Sequence, residues 1–209
     1  MLSALFDRSD AFQLALDEAL ASHDWVVHPS HRLNLAGTAT LLSLEHGTAV
    51  RTCYASGFPQ SASALLRLQF EALVRGAWLR YVAAEEVLGA VVDGLSVESD
   101  AAAKKWPMAP VMLRALASDA PAGLAAPLRQ FQTVAWQPLN SFVHAGIHAL
   151  DRQAQGYPLE LAQQNLRCSN GLIHLAYRLM ADLSGNAEGM ARLTGLWVDY
   201  QDCLPPMAY

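Results

Sequence analysis

Apolar residues recur along most of the chain at intervals of three and four, the spacing that collects them on one face of a helix. Leu5, Phe12, Leu16 and Leu20 keep that register from Leu2 to about Ser22, and a turn signal, HPS at 28–30, separates them from a second long segment, His31 to about Ala55. The break SGFPQS ends that segment. A third helix, SASALLRLQFEALVRGAWLRYVAAEEVLGAVV, is expected behind Ser61 or Ser63 as a cap and running to about Val92. Spaced at about 100° per residue, Leu66, Phe70, Leu73, Val74, Ala77, Trp78 and Tyr81 cover most of its circumference and leave a thin polar strip at Gln69 and Arg80. A helix so nearly apolar all round belongs at the centre of a bundle.

Between 93 and 123 the pattern loosens, and DGLSVESDAAAKKWPMAP followed by SDAPAG reads as an exposed excursion with one short helix near 108–117. A helix from about Leu124 to Trp136 then leads to Pro138, whose fixed φ suits the first turn of a further segment, LNSFVHAGIHALDR at 139–152. His144 and His148 stand four apart there, a spacing that puts both on one helical face. The last large helix, about Leu159 to Leu183, carries Leu161, Cys168, Leu172, Leu175, Leu179 and Leu183 on one side. Gln163, Arg167, Asn170, His174 and Arg178 form the opposite stripe, which is expected to be solvated. The end, GLWVDYQDCLPPMAY, reads as a short helix stopped by Pro205 and Pro206.

Abundant Ala and Leu, sparse Gly and Pro and no alternating β-branched run make the chain all-α. The expected architecture is a single domain over 1–209, a bundle of about six or seven helices around the helix at 61–92. The net charge of −5, with arginines scattered rather than clustered, supplies no basic stripe, and no extended duplex DNA partner is expected. Three widely spaced cysteines, Cys53, Cys168 and Cys203, suit a reducing compartment better than a disulfide framework. The N-terminal stretch lacks the basic start and unbroken apolar core of a signal peptide, and no stretch is apolar enough to span a bilayer. A cytoplasmic protein without membrane contact is expected.

On the central helix Arg67, Glu71 and Arg75 follow at i, i+4 and i+8 among aromatics and aliphatics. Buried charges must be paired, so the trio is either an ion network that fixes helix register or part of a site. His144 and His148 with Glu71 form a candidate metal set, since bundles build such sites from facing helices, but Ala145, Gly146 and Ile147 supply no glutamate between the histidines. A hydrogen-bonded structural pair is the competing account. There is no GxSxG elbow, no Cys with a His nearby in sequence and no glycine-rich phosphate loop, and no cofactor is expected. Base-driven RNA cleavage, which needs a His to move a proton and an Arg to hold phosphate, stays open.

LEHGTAVRTCYASGFP, SASALLRLQFEALVRGAWLRYVAA, LNSFVHAGIHAL and GYPLELAQQNLRCSNGL together resemble a bacterial family of uncharacterised helical proteins and, more distantly, the HEPN-like bundles, several of which are RNA-cleaving toxins of phage-defence systems. That resemblance implies a helical fold and a homodimer, and the distant one implies metal-independent endoribonuclease activity. The HEPN pattern is Arg, about four to six residues, then His. Arg167 and His174 are its nearest match here, while Asn140 stands where the pattern would want the Arg before His144, leaving Arg67 or Arg75 to supply the cation in space. The leading expectation is a non-enzymatic binding protein with Arg67, Glu71, Arg75, Asn140, His144 and His148 around a polar pocket for RNA or a small molecule. The alternatives are the endoribonuclease, with His144 or His174 as base, and the metal-binding bundle.

Overall fold

The computed structural model describes residues 2–21, 30–91 and 94–206. Among them are ten α-helices and no strand, an all-α fold with more helices than the six or seven expected because several are short. The ends expected at Ser22 and Val92, the His28–Pro29 turn and the last three residues lie outside the described residues.

The central helix is α3 (Pro59–Tyr81), whose Leu66, Phe70, Leu73, Val74 and Ala77 are fully buried. It packs on α2 (His31–Ala55), α6 (Ala109–Asp119), α7 (Ala122–Val143) and α9 (Leu159–Leu183). The approach of α2 is close because small residues line it: a Cβ on Gly76 would sit 2.7 Å from Thr40 Oγ1 and 3.1 Å from the Ala36 carbonyl. Gln69 is not on an open polar strip. It is fully buried, its amide bonding Ser169 Oγ at 2.7 Å and the Ser169 carbonyl at 3.1 Å, so it ties α3 to α9.

α3 stops about ten residues before the expected Val92. Arg32 of α2 donates to the Leu79 carbonyl at 2.8 Å and pairs with Glu85 at 2.6 Å, taking an acceptor that a continuing helix would use itself. A short α4 (Glu85–Gly89) follows. In the stretch expected as an exposed excursion, α6 is the short helix expected near 108–117, but it is preceded by another, α5 (Val97–Ala103), and docks on α3 through buried Met112, Leu113 and Leu116.

α7 runs unbroken through Pro127 and Pro138, where two separate segments were expected. Pro127 leaves the Gly123 carbonyl without its helical donor, and Arg178 reaches that oxygen at 3.5 Å. The helix ends at Val143 instead. Ala145 adopts φ 50°, and a Cβ on Gly146 would lie 2.6 Å from Ser141 Oγ, so the Ala-Gly pair makes a turn. Ser141 Oγ then accepts the His148 N–H and starts α8 (Ile147–Gln155).

α1 (Leu2–Leu20) and α10 (Ala187–Asp199) cover α9, and a 3-10 turn at Gln201–Cys203 returns the chain across it. Asn170 holds that return, donating to the Cys203 carbonyl and to Ser9 Oγ, each at 2.8 Å. Gly171 makes room for it, since a Cβ there would meet Pro205 at 2.9 Å. Among the described residues no helix is long and apolar enough to cross a membrane.

Candidate functional site: an apolar groove between two helices

α7 and α9 run side by side but touch at few points, and the space between them is a groove of about 790 Å³. Ligand sites commonly enclose about 300–1,000 Å³ with mostly apolar walls. One wall is the α7 stripe Phe131, Val134, Ala135, Pro138 and Phe142; the other is Leu161, Cys168, Gly171, Leu172 and Leu175 of α9. The spacing within each stripe is helical, so each is a face that one neighbour would normally cover. α8, which continues from the end of α7, adds His148 and Arg152, and Trp197 with Pro205 and Pro206 extends the wall beside Gly171. The back is packed with aromatic rings: Phe131 stacks on buried Phe70 with centroids 4.5 Å apart, and Phe70 meets the edge of Trp136 at 5.7 Å.

Polar groups enter at few points. Asn165 lines the groove and donates to the hydroxyls of Tyr157 at 2.8 Å and Tyr54 at 3.0 Å, while Ser63 and Tyr157 are 2.6 Å apart. This network fastens the start of α9 to α2 and α3, and burial, with Tyr157 beside it, raises the Tyr54 pKa strongly. Burial pushes the Cys168 thiol up to about 11, so it lines the groove as a neutral apolar group rather than a nucleophile. All three cysteines are free. Arg167 lines the groove half-buried, its Nε donating to the Asp202 carbonyl at 3.3 Å.

The residues singled out in the sequence are spread out instead of gathered. Arg67 and Glu71 form a 2.8 Å ion pair, with Arg67 buried and stacked over Trp136, whereas Arg75 is exposed above Trp106 at 5.5 Å. The trio is therefore a pair plus a surface cation. Burial lowers the Arg67 pKa against the opposing pull of Glu71, and Nε and Nη1 have no partner among the described residues. His144 caps α7, exposed, with its N–H on the half-buried Asn140 carbonyl at 3.3 Å, and His148 belongs to the next helix. The turn at Ala145 and Gly146 thus removes the shared helical face expected of the two histidines. Among the described residues no three His, Cys, Asp or Glu side chains gather as a metal set, so Glu71, His144 and His148 do not form one.

His174 is not on a solvated stripe. It is 1% exposed, enclosed by Phe12 of α1 and Trp197 of α10, with Nε2 at 2.8 Å from the Leu193 carbonyl. Burial pushes its pKa down to about 4, with Arg178 lowering it further and the Leu193 bond opposing. Arg167 reaches the groove and His174 does not line it, so their spacing in sequence builds no joint site. The groove itself was missed. Its signal was the apolar stripe of α7, which continues across Pro138 at helical spacing.

The half-matched state of Arg67 makes a prediction. Glu71→Ala should cost about 1–3 kcal/mol by leaving a buried guanidinium without its carboxylate. Arg67→Met, which removes charge and orphaned donors together, should stay within about 1 kcal/mol of the parent in urea unfolding. A Glu71→Ala protein as stable as the parent would mean the pair is an ordinary surface contact.

No curated protein and no solved structure matches the chain. The model of the "Family of unknown function (DUF6988)" matches residues 40–206, and the chain belongs to that family. The matched span includes α3 and both walls of the groove.

Proposed function

We propose that this member of the family is a binding protein whose α7–α9 groove holds an apolar small molecule. The observation that carries the reading is the groove: two facing apolar helix stripes with about 790 Å³ between them, backed by the Phe70–Phe131 stack. Water against such walls is displaced favourably by any apolar body that fits, at roughly 25 cal/mol per Å² of apolar surface covered. Of the six residues expected around a polar pocket, Arg67, Glu71, Arg75, Asn140, His144 and His148, only His148 lines this apolar groove. An endoribonuclease with His174 as base would need that imidazole accessible, and its enclosed position gives that version of the reading no support.

The test is titration with the neutral fluorophore N-phenyl-1-naphthylamine. Saturable binding to the parent protein is expected. Ala135→Phe and Cys168→Phe, each placing a ring in the half-open groove, should weaken it by about tenfold or more. Circular dichroism would establish that both variants keep the parent helix content. Absence of saturable binding, or equal affinity in both filled variants, overturns the proposal.

A further inference from the structure

We infer that the groove's ligand is an amphipathic carboxylate, an apolar chain or ring system whose single anionic head pairs with Arg167; this rests on the groove being a binding site. The chain carries 19 acidic against 14 basic residues, yet no Asp or Glu lines the groove, where Arg152, Arg167 and His148 all stand. The fold pairs most of its half-buried arginines, Arg8 with Asp202, Arg32 with Glu85, Arg51 with Asp10, Arg80 with Asp182 and Arg152 with Asp151, at 2.6–3.5 Å, while Arg178, outside the groove, reaches only the Gly123 carbonyl. Of the two arginines that line the groove, Arg167 is the one without a carboxylate partner among the described residues. Its one hydrogen bond among them goes from Nε to a backbone carbonyl. The nearby Asp202 side chain is committed to Arg8, both its oxygens lying 3.0 Å from Arg8 Nε.

A guanidinium held at Nε still offers its two terminal nitrogens as a fork, the geometry that receives a carboxylate in two parallel bonds. Next to apolar walls this pairing is screened less than at an open surface. The occupant is therefore selected at two points. The walls of α7 and α9 take its apolar body, and Arg167 takes its head.

Calorimetric titration of the full chain with decanoate and with decan-1-ol, both below micelle formation, separates the two points. The expected result is that decanoate binds about tenfold or more tightly than the alcohol, and that added salt narrows the gap. Arg167→Gln should remove the difference between them. Arg167→Lys, which keeps charge without the fork, should keep part of it, and Arg129→Gln, an exposed position on α7 outside the groove, should keep all of it. Equal affinities for decanoate and decan-1-ol in the parent would overturn the head-group inference while leaving the apolar groove standing. A preference that survives Arg167→Gln would overturn the assignment of Arg167, and no binding of either compound would overturn both readings.

Discussion

Phe70→Ala is expected to lower the unfolding free energy by about 3–5 kcal/mol, near the upper end for one core truncation, and to weaken the groove at the same time. Phe70 is fully buried in α3, the helix against which α2, α6, α7 and α9 all pack, so the space left by its ring has no single neighbour able to fill it. Its particular contacts matter as much as its volume. The ring backs Phe131, which lines the groove, and meets the edge of Trp136, over which Arg67 is stacked. Removing it lets Phe131 sink inward and costs Trp136 its edge contact, so affinity for N-phenyl-1-naphthylamine should fall along with stability. Leu16→Ala is the matching control, since Leu16 is as fully buried but lies on α1 and outside the groove. It should cost about 2–5 kcal/mol and leave the fluorophore's affinity unchanged. Urea unfolding and the fluorophore titration on both variants give the result; an unaltered affinity in Phe70→Ala would mean that α3 does not set the groove wall.

The helices most legible in the chain were those whose burial is decided locally. α2 and α9 have the bounds His31–Ala55 and Leu159–Leu183 that the periodicity indicated, and α3 is central because it is apolar around most of its circumference. Where local signals and tertiary contacts compete, the reading failed in identifiable ways. Pro138 looked like a first-turn residue, but the stripe Phe131, Val134, Phe142 continues across it and α7 accepts the lost N–H. The segment from Val143 to Leu150 keeps helical spacing, yet the left-handed Ala145 and the space that Gly146 must leave for Ser141 end the helix there. On α9, Asn170 and His174 read as solvated because what covers them is distant in sequence: Ser9 lies 161 residues from Asn170. The groove was the least legible feature. An apolar stripe has the same sequence whether a neighbour covers it or stands off, and only the separation of α7 from α9 decides between them.

His174 should give the protein a specific acid limb. In the unfolded chain an imidazole titrates near its ordinary value of about 6.5, whereas in the fold burial holds it near 4. The unfolded state therefore binds the extra proton first as the pH falls. The contribution of His174 is complete above about pH 6.5 and is lost progressively down to about pH 4, a total on the order of 3 kcal/mol. Carboxylates add their own acid dependence, so the informative quantity is the difference from His174→Gln, which keeps a donor for the Leu193 carbonyl but cannot titrate. In urea unfolding at pH 7 and pH 4.5 the parent should lose more stability than His174→Gln. Parallel losses would show that the imidazole accepts its proton in the folded state and is not enclosed. The same proton should reach the groove, because the His174 ring centroid lies 5.1 Å from that of Trp197, a groove residue. Among the described residues no carboxylate pairs with His174, and Arg178 opposes a charge there, so protonation should loosen the packing of α10 on α9. An apolar probe bound at pH 7 should accordingly be held through the interval in which the parent loses its advantage and released only as the pH falls to about 4, where the folded imidazole takes up its proton, and His174→Gln should hold it to lower pH still.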